Sequence, residues 1–311
     1  MKRLLTLTLV FSLLLMASFN VFAQDLLENT VAEKPYRIAV LLKTLANPFW
    51  VDMQEGVLEE AERLGVEVDV FAVAQEGDAE EQLRLFENVI AREYDGIAFA
   101  PITPVNLIPV ISKANDLGIP VVNLDERVPF NTLRDRGAYV YSFVTTNNVL
   151  VGEQAAEFVI QKLGPEGGKV AVIEGMAGNV SGDDRRDGFT NRIKQEANFE
   201  VVASQPANWD RTQALNVATN ILNRHPDLKA IYACNDTMAL GALRAVENLG
   251  MDVIVVGTDG VPEAVEAVKE GRLAATIAQD PAMIGKVGLR LLVRALNIPQ
   301  QVDVPSLVVA E

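Results

Sequence analysis

Leu41-Leu42-Lys43-Thr44-Leu45-Ala46-Asn47-Pro48-Phe49-Trp50 joins an apolar strand-like run, Tyr36 to Leu42, to a helix-like run, Pro48 to Leu64. An amine, an amide and two adjacent aromatics therefore fall at the carboxyl end of a strand, the edge at which open α/β sheets bind ligands. Pro48 suits the first position of a helix, where its missing N–H costs nothing, and this makes Asn47 the N-cap. Taken alone, the segment reads equally as a capped helix with Phe49 and Trp50 in the core. The recurrence of the same residue types at other strand ends decides between the two.

Working outward, strands are expected at Tyr36–Leu42, Glu67–Ala72, Gly96–Ala100, Pro120–Leu124 and Ala138–Thr145, with helices at Pro48–Leu64, Ala79–Glu93 and Val105–Asp116. In the first helix Val51, Leu58, Ala61 and Leu64 recur at helical spacing, charged residues cover the other side, and Gly65 supplies the stop. The second half repeats the theme. Helices are expected at Asn148–Leu163, Asp183–Gln195, Arg211–Arg224, Asp236–Leu249 and Pro262–Glu270. Between them lie the strand-like runs Lys169–Glu174, Glu200–Ser204, Ala230–Ala233, Val253–Gly257 and Ala274–Ala278. Continuously apolar strands alternating with helices imply parallel sheets covered on both faces. The fold class is α/β, with two doubly wound Rossmann-like lobes.

Met1-Lys2-Arg3, the apolar run Leu4 to Met16 and the small residue Ala23 have the form of a secretory signal cut after Ala23. The run is shorter than the roughly 20 residues a spanning helix needs. Cys234 is the sole cysteine, so an intramolecular disulfide and a cysteine-rich metal site are both excluded. His225, the one histidine, sits beside Pro226 in a loop-like stretch. The net charge of −15 becomes more negative still when Lys2 and Arg3 leave with a signal. It opposes nucleic-acid binding.

Residues just past each expected strand form a chemically coherent set. They are Lys43, Asn47, Phe49 and Trp50; Asp125-Glu126-Arg127; a glycine-rich turn from Gly175 to Gly182 followed by Arg185 and Arg186; Trp209-Asp210-Arg211; Asn235-Asp236; Asp259; and Gln279. Carboxylates and guanidinium groups make charge-assisted bonds to hydroxyls, amides donate and accept at once, and aromatic faces stack on the C–H face of a sugar ring. The set suits a neutral polyhydroxylated ligand and requires no covalent chemistry. Bland readings stand beside it: Asp125 and Asp236 as helix caps, either tryptophan as a core anchor, Arg186 as a surface ion pair, and the glycine-rich turn as a plain turn, since it lacks any phosphate-loop pattern. A carboxylate pair for glycoside hydrolysis could be drawn from Asp125, Glu126 and Asp259, but sequence gives no separation between them.

Leu41 to Trp50, Asn123-Leu124-Asp125, Ser204 to Arg211, Asn235 to Gly241, Val256 to Gly260 and Ala275 to Gln279 together resemble the type I periplasmic sugar-binding proteins, the ribose-binding group. Lys43, Trp50, Val51-Asp52-Met53, Phe99-Ala100-Pro101 and Asp125-Glu126 are similar to its allose-binding branch. The resemblance implies a non-enzymatic binder of a monosaccharide, D-allose or a related hexose, with ribose, allulose and other pentoses or hexoses as alternatives. It implies that Phe49, Trp50 and Trp209 sandwich the ring. Asn47, Asp125, Arg185, Asn235, Asp259 and Gln279 would bond its hydroxyls, with Lys43 and Glu126 adding hexose-specific contacts. Arg185 is preferred to Arg186 because the family arginine stands three residues before a glycine, here Gly188.

The resemblance also implies a three-segment hinge, with crossings near 144–146, 279–280 and 300–303. The domains expected are a signal peptide (1–23), a mobile leader (24–33), an N-terminal lobe (34–144 plus 280–302) and a C-terminal lobe (145–279 plus 303–311). No catalytic residue, metal or cofactor is expected. The implied partners are the permease of an ATP-driven ABC importer and a chemotaxis receptor, the protein itself being a periplasmic monomer. A sugar-responsive repressor shares this core but needs an N-terminal helix-turn-helix, the place the export signal takes here.

Overall fold

A computed structural model describes residues 28–298 of the chain. The signal peptide, the start of the leader, the third crossing and the residues after it lie outside the described residues. A first sheet contains β1 (Arg37–Thr44), β2 (Glu67–Val73), β3 (Gly96–Phe99), β4 (Val121–Leu124) and β5 (Ser142–Val144), in the order β2-β1-β3-β4-β5. Its helices are α1 (Pro48–Leu64), α2 (Ala79–Ile90), α3 (Ile108–Asp116) and the short α4 (Phe130–Asp135). A second sheet contains β6 (Gly168–Glu174), β7 (Phe199–Pro206), β8 (Leu228–Ala233), β9 (Ile254–Asp259) and β10 (Ala275–Ala278), in the order β7-β6-β8-β9-β10. Its helices are α5 (Asn148–Leu163), α6 (Val180–Ile193), α7 (Arg211–Arg224), α8 (Asp236–Leu249) and α9 (Pro262–Lys269). Every strand pair is parallel. Both sheets follow the same doubly wound order, whose topological switch points lie between β1 and β3 and between β6 and β8.

β1 explains the continuous apolar run. Ile38, Val40 and Leu42 pack with Met53, Val57 and Ala61 of α1, whereas Ala39 and Leu41 pack with Phe86 and Val89 of α2 and Ile111 of α3. A strand buried on both faces has no polar side to show. α10 (Pro281–Asn297) leaves the end of the second sheet and returns to the first, where Leu289, Leu292 and Val293 join the core on the α1 side. Gly56 makes this possible, since a Cβ there would lie 2.3 Å from the Ala282 carbonyl oxygen. The buried Glu60 carboxylate accepts from Arg290 Nε at 2.8 Å and Nη2 at 2.9 Å, and also pairs with Arg63. Those bonds hold its carboxyl below the usual range against the opposing effect of burial.

The local structure differs from these expectations in several places. α4 and α10 are additional helices: α4 has six residues and no side-chain cap, whereas α10 opens as α1 does, with Asp280 accepting from Met283 N and Pro281 at its start. α6 begins at Val180, not Asp183, because Asn179 caps it by accepting from Gly182 N. Asn235, not Asp236, caps α8, with its side chain accepting from Met238 N at 2.9 Å. The latter half of the leader is tethered: Val31 O and Glu33 N both bond the Asn297 side chain, at 2.8 and 3.2 Å.

Candidate sugar-binding cleft

The carboxyl ends of the two sheets face each other across a narrow cleft. The first sheet's side contributes Lys43, Asn47, Phe49, Trp50, Glu76 and Asp125; the second contributes Ser181, Arg185, Trp209, Asn235 and Asp259. The two walls lie close together, with about 290 Å³ of space between them including what is open to solvent.

Asn47 caps α1 through its side-chain oxygen, which accepts from Phe49 N at 3.1 Å, and donates through Nδ2 to Glu76 at 3.3 Å. The cap and cleft readings of this residue coexist. Trp50 is buried edge-on against Phe49, with ring centroids 4.9 Å apart, and its indole N–H donates to Glu76 at 3.1 Å. Lys43 is 2% exposed, and its ammonium stands 5.3 Å from the Trp50 ring centre. On the far wall Trp209 lies on the glycine-rich turn. A Cβ at Gly175 would fall 2.1 Å from its ring and one at Gly182 3.0 Å from it. The glycines thus seat an aromatic ring.

Arg185 is buried and anchored, donating to Asn148 Oδ1 and to the Cys234 carbonyl, each at 2.8 Å, and standing 3.6 Å from Asp259. Arg186 is turned outward to Glu174, Asp183 and Asp187. Burial pushes the Asp259 carboxyl well up, and the Arg185 guanidinium opposes that push. Burial also raises Asp236 to about 6, although its oxygens accept from Gly260 N, Val261 N and the Thr276 hydroxyl. Gln279 Nε2 donates to Asp259 Oδ1 at 2.7 Å. Cys234 is fully buried, its thiol pushed up to about 12 by desolvation, as suits an inert core residue.

Two features mark the cleft as more than a packing defect. Asp125, Trp209 and Asp259 have φ of 56°, 64° and 126°, conformations that favour glycine and concentrate at functional sites. Asp125 Oδ1 and Gln279 Oε1 are buried without a hydrogen-bond partner. A buried acceptor left unpaired is costly, and the Asp125 oxygen, on the cleft wall, is poised for a donor that enters the cleft.

Residues 38–299 match the family model described as a periplasmic binding protein domain. The chain belongs to the periplasmic binding protein family. Its sequence is 53% identical to the D-allose-binding periplasmic protein of Escherichia coli K12 over 272 residues, 87% of this chain and 88% of that protein. It is 36% identical to the ribose import binding protein of the same organism over 298 residues, 96% of this chain and 93% of that one. A periplasmic solute-binding protein from Actinobacillus succinogenes, solved with bound D-allose, superposes with a TM-score of 0.80 at 35% identity, covering 88% of this chain and 94% of that one. The two parallel-sheet lobes are those of a type I periplasmic binding protein.

Of the eleven expected site residues, nine line the cleft of this binding protein. Gln279 stands behind Asp259. Glu126 is a correction to its expected place on the ligand. Its carboxylate accepts from Val180 N at 2.6 Å and from Ser181 N and Oγ at 3.3 and 3.0 Å, so it bonds the opposite lobe and does not line the cleft. Glu76 and Ser181 also line the cleft, outside the expected set. Glu76 follows β2, a strand end from which no candidate is drawn. Ser181 sits within the glycine-rich stretch, hidden by its reading as a turn.

Proposed function

We propose that this periplasmic binding protein captures one neutral monosaccharide, D-allose or a related hexose, and delivers it in a closed form to the permease of an ABC importer. The observation that carries the reading is the unpartnered buried acceptor Asp125 Oδ1 on the wall of a cleft framed by Trp50 and Trp209. A ring hydroxyl supplies the donor that oxygen lacks, and apolar ring faces pack on the indoles. Lys43 and Arg185 donate to ring and hydroxyl oxygens, Asp125 and Asp259 accept, and Asn47 and Asn235 do either. The likeness to a D-allose-binding relative at 53% identity, against 36% for a ribose importer's protein, supports a hexose.

Export through a signal peptide at 1–23 and a hinge near 144–146, 279–280 and 300–303 complete the reading. The monomer is the transport-competent unit, and a chemotaxis receptor is a second reader of the closed form. A ligand touching both lobes binds the closed state better than the open one, and that difference drives closure. A thermal-shift screen against D-allose, D-ribose, D-allulose, D-galactose and D-glucose tests the proposal. At a hundredfold excess over Kd a true ligand adds about 2.7 kcal/mol, so the midpoint rises by roughly 5 °C or more. D-allose is expected to give the largest rise. No rise with any of the five overturns the proposal.

A further inference from the structure

Glu126 is fully buried, and all three hydrogen bonds its carboxylate makes cross from the first lobe to the start of α6 in the second. The loop that carries it is fixed to its own lobe. Asn123, also fully buried, donates to the Leu124 and Glu126 carbonyls and accepts from Val128 N. On the other side Ser181 and Arg185 are four residues apart on α6, one turn along the same face. The helix that carries a cleft-lining guanidinium is therefore held directly by a carboxylate of the opposite lobe, through contacts that do not involve the ligand.

We propose that Glu126 is an affinity-setting latch: it bonds the first turn of α6 only when the lobes are closed, and so raises the closed population by the same factor whichever sugar is bound. The inference rests on the sugar-binding reading of the cleft. Its physical basis is that the apparent Kd equals the intrinsic Kd divided by the fraction of binding-competent protein. A latch acts on that fraction alone. A residue that touches one hydroxyl acts on the intrinsic Kd and so discriminates among sugars. In an opened cleft the carboxylate faces water and the α6 amides are solvated, so the exchange favours closure only when water is excluded.

The test is calorimetry and stopped-flow tryptophan fluorescence on Glu126→Gln and Ser181→Ala, with D-allose, D-ribose and the deoxy analogues of D-allose. The latch predicts that Glu126→Gln weakens every sugar the wild type binds by one common factor of at least tenfold, mainly through faster dissociation. Ser181 also lines the cleft, so it is read through the double variant, in which the losses fall short of multiplying because the two residues form one contact. An unchanged affinity overturns the latch. So does a loss confined to one sugar that vanishes with the analogue lacking a single hydroxyl, which would make Glu126 a ligand contact.

Should the wild type bind none of these sugars, the sugar reading fails and the latch is judged on ligand-free protein. Spin labels on exposed faces of the two lobes, at Glu80 and Thr212, then report the distance across the cleft. A lower closed fraction in Glu126→Gln supports the latch, and identical distance distributions overturn it.

Discussion

Asp125 and Asp259 combine a positive φ with burial, and both present acceptors to the cleft. Replacing either by alanine removes a charged acceptor from a dry site, an effect on the order of 1.5–3 kcal/mol. Calorimetry should therefore show at least a tenfold loss of sugar affinity in each variant; wild-type affinity in both would remove these residues from the site. The spacing from Gly188 that favours Arg185 over Arg186 has a cause in the packing. A Cβ at Gly188 would lie 2.2 Å from Val149 O, and one at Gly152 would lie 2.0 Å from Arg185 O, so residues 185 and 188 share the face on which α5 and α6 touch. Arg186 points elsewhere. Glu76 was legible by the strand-end rule once β2 is included. The direction of Glu126 was not, because its partners are contributed by the other lobe and no local pattern encodes them.

At the scale of elements, the α5–α6 crossing depends on glycine at two positions. Gly152→Ala forces the Arg185 carbonyl away, and overpacking of this kind costs about 1–3 kcal/mol. Urea unfolding should show a lower midpoint with an unchanged slope, and sugar affinity should fall as well because Arg185 moves with its helix. A midpoint equal to wild type would mean that the helices can separate freely. Most helices are legible from their caps, periodicity and stops; α4 is hidden by its length, while α10 carries the same cap-and-proline opening as α1. Asp236 ties the start of α8 to the β9–α9 loop and to Thr276 of β10. Its folded pKa, about 6, lies above the ordinary 3.8. A raised carboxyl contributes stability that is fully present below its unfolded pKa and lost as pH rises through the folded one. The stability margin of wild type over Asp236→Asn should thus be largest near pH 4 and shrink towards pH 7. A margin that stays flat or grows across that range contradicts the assignment.

At the scale of the whole molecule, the two described crossings are tied to the site's acidic residues. Asp125 N donates to Val144 O at 2.8 Å, and the Thr145 hydroxyl donates to Asp125 O at 2.7 Å. Gln279 N donates to Asp259 O at 2.9 Å. The two described segments that join the lobes are therefore bonded to residues proposed to touch the sugar. Periodicity alone announced two doubly wound units, because a strand buried on both faces must be apolar along its length. The narrowness of the cleft was not legible, since it depends on how the two lobes meet, which no local pattern encodes. Occupation of this cleft by one monosaccharide is measured by titration calorimetry of the purified protein with D-allose. A single saturable site with one sugar per chain is expected, weakened at least tenfold by Asp259→Ala; no measurable heat, or a stoichiometry well above one, overturns the sugar assignment.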